Sequence, residues 1–126
     1  MSFAQRFTVS PVTDASGAAT AYSAEITGKI SAIIYTKDGT NPYAAGVDFT
    51  ITAETTGQNL WTEANVNASA TRAPRQATHG TDGAASLYAA AGTAVQGSIV
   101  LAQERVKIVI AQGGDTKTGQ FVIITE

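Results

Sequence analysis

An antiparallel β-sandwich or jelly-roll-like fold is predicted for this chain by two alternating stretches and two β-branched runs. From Tyr22 to Tyr35 the even positions Tyr22, Ala24, Ile26, Ile30, Ala32 and Ile34 are apolar or small, and the odd positions Ser23, Glu25, Thr27, Lys29 and Ser31 are polar. From Val47 to Glu54, Val47, Phe49, Ile51 and Ala53 alternate with Asp48, Thr50, Thr52 and Glu54. A period of two sends successive side chains to opposite faces of a strand, one buried and one wet. The runs Ile108-Val109-Ile110 and Val122-Ile123-Ile124 are apolar without alternation, which predicts cover on both faces. About seven short strands separated by turns, with at most one short helix, read as a sandwich.

In chain order, Arg6-Phe7-Thr8-Val9 alternates as a first strand and stops at Ser10-Pro11, because proline cannot donate to a ladder. Asp14–Thr20 is a turn of small residues. Gly28 interrupts the long strand and predicts a bulge or a bend there. Lys37–Pro42 is dense in turn residues, with Asp38-Gly39 expected to supply a positive φ. Thr55–Asn59 turns again before Leu60-Trp61-Thr62. The alternation predicts a buried set of Ile26, Ile30, Ile34, Phe49, Ile51, Val106, Ile108 and Ile110.

From Asn65 to Gly97 the pattern dissolves into Ala, Thr, Ser, Asn and Gly. Within a single 126-residue β domain this stretch reads as a long loop or assembly arm. Inside it, residues 82–91 predict a short helix, with Thr81 or Asp82 as cap, alanines in the interior and Gly92 closing it. Ser98–Leu101, Arg105–Ala111 and Gln120–Thr125 resume the strands, and Gln112–Gly119 reads as a hairpin loop joining the last two.

Composition narrows the function. The chain has no cysteine, which removes disulfides and thiolate chemistry. A formal charge of −2 argues against gripping a nucleic-acid backbone, and Arg72 and Arg75 are too few to form a basic patch. The N-terminal residues lack the pattern of a secretory signal, and no stretch reaches the roughly 20 apolar residues of a membrane helix. Much of the apolar content is alanine, so a thin core is expected, reinforced by neighbouring subunits of a homo-oligomer.

No catalytic or metal constellation assembles from the sequence, and no cofactor is expected. His79 is the single histidine, with Asp82 three residues on, but no serine elbow or second histidine accompanies it. Gln112–Gly119 lacks the order of a phosphate-binding loop and joins strands. Trp61 reads either as a core plug or, with Tyr43 and Tyr88, as a carbohydrate-binding platform.

Three stretches carry a resemblance: Gly46–Thr52, Thr56–Trp61, and Arg75–His79 with Gly83–Tyr88. A fourth is Glu104–Gly114 followed by Thr116–Gly119. In these the chain resembles small structural proteins encoded in the head-gene region of tailed bacteriophages and prophages, over roughly Ile30 to Ile124. The resemblance implies a non-enzymatic virion component, assembled in the bacterial host cytoplasm. Its partners would be the major capsid protein, if it decorates the shell, or neck proteins, if it sits at the head–tail junction. The residues expected at such an interface are Arg72, Arg75, Leu87, Tyr88, Tyr43 and Trp61, with the two arginines flanking Pro74 at the start of the arm.

Overall fold

The structure, a computed structural model, describes residues 3–126. They form ten strands: β1 (Gln5–Val9), β2 (Ala19–Tyr22), β3 (Ile26–Lys37), β4 (Asp48–Ala53), β5 (Asn59–Glu63), β6 (Ala70–Arg72), β7 (Arg75–Ala77), β8 (Gln96–Glu104), β9 (Val106–Ala111) and β10 (Gly119–Thr125). One sheet runs β1-β10-β3-β8-β7, with β6 also paired to β3; the other runs β2-β9-β4-β5. Every pairing between these strands is antiparallel, and the two sheets enclose one core as a β-sandwich. Three more strands form than the pattern predicts: β2, four residues long, takes Tyr22 out of the expected long strand into the other sheet, and β6 and β7, three residues each, carry no alternation of their own.

Strand β3 shows how the alternation is broken. Ile26 and Ile30 are buried, but then Ile33 and Tyr35 take the core positions, and Ile34 is half-buried on the outer face. Ile124 of β10 pairs with Ala32 and Thr125 with Ile30, so Ser31 is an extra residue that shifts the phase by one. The other seven residues of the predicted buried set are buried. Gly28, at φ +146°, lies beside a second irregularity against β8; a Cβ there would sit 2.9 Å from the Glu126 carbonyl oxygen.

The core is not thin. Tyr35, Tyr43, Phe49, Trp61 and Phe121 form a connected aromatic cluster, with Phe49 edge-on to Tyr35, Trp61 and Phe121 at centroid distances of 4.8, 5.5 and 4.9 Å. Isoleucines from β3, β4, β9 and β10 pack around it. The small residues of 65–97 lie mostly outside this core, so the alanine content did not thin it.

Two loops differ from expectation. Gln112–Gly119 is no hairpin loop: β9 and β10 lie in different sheets, and the segment crosses between them. It is pinned by Thr13, whose Oγ1 donates to the Gly114 carbonyl and accepts the Lys117 N–H, and by the Gly113 N–H on the Gly17 carbonyl. In the Lys37–Pro42 turn Gly39 does not take a positive φ. The turn is made instead by the Asp38 carboxylate, which accepts the N–H groups of Thr40 and Asn41.

Candidate functional site: a branched finger at one sheet edge

At the edge of the larger sheet, β7 pairs with the first residues of β8, Arg75 against Ser98 and Ala77 against Gln96. The chain between them leaves the sandwich as a finger. Its base is a ring of three backbone hydrogen bonds: Thr78 N–H donates to Val95, Val95 N–H to Ser86, and Ser86 N–H back to Thr78, at 2.9, 2.9 and 3.0 Å. The Thr78 hydroxyl adds a bond of 2.9 Å to the Val95 carbonyl.

Two lobes branch from this junction. The first, residues 79–85, is closed by the bridge of His79 with Ala85 and by Gly80 N–H on the Ala84 carbonyl. The second, residues 87–94, is closed by Leu87 with Ala94 and by Tyr88 N–H on the Thr93 carbonyl. Both lobes are exposed to solvent.

The helix predicted at 82–91 is therefore absent. Asp82 does not cap a helix; its carboxylate accepts the Ala84 N–H two residues on, and Gly83 takes φ +84°, which no right-handed helix accommodates. Ala91 is likewise left-handed, at φ +57°. Alanine propensity is worth only a few tenths of a kcal/mol per residue, and two turns plus a shared junction outweigh it. The Asp82-Gly83 pair, with Gly92 nine residues later, is the sequence signal that two tight turns lie here.

The predicted interface residues separate into two groups. Leu87 and Tyr88 belong to the finger and Arg75 to β7 beneath it; all three are exposed, Leu87 at 42% and Tyr88 at 75%. Tyr43 and Trp61 do not reach any interface: they are 4% and 5% exposed, inside the aromatic core. The Tyr43 hydroxyl donates to the Pro11 carbonyl at 2.6 Å, and burial, then the neighbouring Tyr35, pushes its pKa up. Trp61 donates its indole N–H to Glu63 at 2.9 Å. Tyr43, Trp61 and Tyr88 thus share no surface, and the aromatic carbohydrate platform does not form.

Arg72 is engaged within the chain. Its Nε and Nη2 donate to the two carboxylate oxygens of Glu63 at 2.9 and 3.1 Å, and its guanidinium lies 5.5 Å from the Trp61 ring centroid. The Arg72 bond, then the indole bond, holds Glu63 below its ordinary 4.5. This pair borders a shallow polar cleft shared with Asn65, Asn67 and Ser69. Arg75 donates to the Pro74 carbonyl at 2.6 Å. His79 lies on the finger surface, and no group of three or more metal-ligating side chains occurs among the described residues.

No family model matches the chain, and no curated protein matches it. The crystal structure of FLHE is similar to it at 12% identity and a TM-score of 0.48, covering 99% of each chain.

Proposed function

We propose that this chain is a non-enzymatic structural protein of a bacteriophage virion, a decoration protein that docks on the assembled capsid shell through its finger. The observation that carries this reading is the finger itself. It projects beyond the sandwich, its backbone is closed on itself at Thr78, Ser86 and Val95, and it presents Leu87 and Tyr88 to solvent on its second lobe. A rigid apolar projection loses little conformational freedom on docking, which favours affinity from a small contact. From Thr78 to Val95 the finger carries one acid, Asp82, one histidine, His79, and no lysine or arginine, so its recognition is apolar and shape-based rather than electrostatic. The sequence resemblance to head-region structural proteins supplies the partner, the major capsid protein.

The test is co-sedimentation of the purified chain with purified shells, with the chain intact and with Leu87→Asp/Tyr88→Asp. Both residues are exposed, so the double variant should melt like the parent and lose shell binding. Unchanged binding would exclude the finger as the docking element. A map of the parent particle separates the two virion roles: copies spread over the shell support decoration, whereas a single ring at the portal vertex assigns the chain to the neck.

A further inference from the structure

At the edge of the larger sheet opposite the finger stands β1, whose one strand partner is β10. Lys29 and Glu126 exchange both backbone hydrogen bonds, at 3.1 and 2.9 Å. Hydrogen-bonding direction alternates along an antiparallel strand, so Ile124 and Val122 also face β3, and Thr125, Ile123 and Phe121 face β1. Their partners on β1 are Gln5, Phe7 and Val9. The N–H and C=O groups of Arg6 and Thr8 therefore point out of the sheet. Within β1 no proline or glycine blunts this edge, and its pairing with β10 is free of register shifts. The edge strand β5, by contrast, is bulged against β4.

The geometry points to a two-fold homodimer in which β1 pairs antiparallel with β1 of a second copy, centred on Phe7. Only registers that align the outward groups of Arg6 and Thr8 with their like are open, which leaves centres at residues 6, 7 or 8. A centre at Arg6 places two guanidinium groups opposite each other, which is destabilising. A centre at Phe7 sets Arg6 against Thr8 of the other copy, twice, with both pairs hydrogen-bonded. It also places Phe7 across from its mate in a close non-hydrogen-bonded pair, the arrangement in which side chains approach best. Phe7 is half-buried, so its uncovered part is available for that contact.

The same register brings Phe3 opposite Pro11 of the other copy, because the paired residue numbers sum to fourteen. Phe3 is 67% exposed and Pro11 is buried in its own copy, so Phe3 would gain cover at the rim beside Pro11. One of the most exposed large apolar side chains of the described residues thus lies at the end of the free strand, where the second copy reaches it. A centre at Thr8 loses both the Phe7 pair and this match. Proline at 11 cannot donate, so the ladder ends there. The result is one continuous sheet with six strands from each copy, and a finger at either far edge. Combined with the docking proposed above, that arrangement makes the dimer bivalent toward the shell.

The dimer is tested in solution without any shell, so it stands or falls apart from the docking reading. Sedimentation velocity of the full chain should show monomer passing to dimer between about 1 and 300 µM, as a contact of this small size allows. Thr8→Pro removes an outward donor and Phe3→Asp an end contact. Each should move the midpoint at least about tenfold while leaving the melting temperature unchanged. The register is read by oxidising an equimolar mixture of the Arg6→Cys and Thr8→Cys chains, which have no other cysteine. The mixed disulfide should dominate, since paired Cα atoms lie about 5.5 Å apart. Monomer at every concentration, or a dimer indifferent to both substitutions, overturns the proposal. So does cross-linking dominated by like pairs of Thr8→Cys.

Discussion

Adding a single methyl at Gly119 tests the aromatic core more sharply than removing a ring. Gly119 opens β10, and a Cβ there would stand 2.7 Å from Cε1 of Tyr35 and 2.8 Å from Cε2 of Tyr43. Ordinary contact begins near 3.4 Å, so the Tyr35 ring must retreat by 3.4 − 2.7, or 0.7 Å. Neither ring has room. Tyr35 is 1% exposed and packs on Phe49 and Phe121, and Tyr43 is tethered by its hydroxyl to the Pro11 carbonyl. Overpacking of this kind costs about 1–3 kcal/mol, and two displaced rings place Gly119→Ala in the upper half of that range. At about 4 °C per kcal/mol for a chain of this size, the melting midpoint should fall by about 8–12 °C. Gly39→Ala is the control: a Cβ there meets nothing within 4 Å, so the change should stay within about 0.5 kcal/mol. Adding Tyr43→Phe, which cuts the tether, should shrink the cost of Gly119→Ala in a double-mutant cycle. Denaturant melts followed by Trp61 fluorescence measure all five chains, the parent included. A Gly119→Ala cost below about 0.5 kcal/mol would show that the two rings do not pack as described.

Three further outcomes are expected. Ile51→Ala should cost about 2–4 kcal/mol and Ile34→Ala less than half as much, because the Ser31 bulge turns Ile34 to the outer face; equal losses would place the phase shift elsewhere. Glu63 is held below its ordinary 4.5 by Arg72, so its contribution is complete above that pH and lost as pH falls through the lowered folded value; Glu63→Gln should flatten that acid limb of a melting curve, and an unchanged limb would refute the linkage. In hydrogen exchange the amides of Thr78, Ser86 and Val95 should outlast those at the lobe tips, such as Ala90, and uniform exchange along the finger would mean the junction does not hold it.

The sandwich was legible wherever one face of a strand is dry and the other wet. Phe49, Ile51, Ile108 and Ile110 follow from period two alone, since a buried face tolerates no polar residue without a partner. What the sequence hid was topology and phase. Ser31 looks like any polar position in β3, yet as a bulge it reassigns Ile33, Ile34 and Tyr35; nothing local marks it, because it exists only against β10. Gln112–Gly119 carries hairpin residues, but Thr13 and Gly17, about a hundred positions away, decide that it crosses between sheets. For the candidate site, exposure of Leu87 and Tyr88 was readable from the polar and small company they keep. For Trp61 the core plug was one of two readings and the structure selects it; the burial of Tyr43 was not readable, because an aromatic beside a turn reads the same whether it plugs a core or faces a ligand.

The finger inverts the usual relation between burial and order. Ordering a residue costs about 1–2 kcal/mol of backbone entropy, and the alanines and glycines of 79–94 bury too little apolar surface to offset it. The compensation comes from the backbone. Three chain segments meet at Thr78, Ser86 and Val95, and each N–H there finds a carbonyl of the next, so one small ring fixes the roots of both lobes. Each lobe is then a short closed loop, and closing a short loop from fixed ends costs much less than ordering a long one. Because the junction is made of main-chain groups, the lobe side chains are free of structural duty. Leu87 and Tyr88 can be retained for contact alone, and substitutions at the lobe surface should alter what the finger binds long before they alter whether it forms.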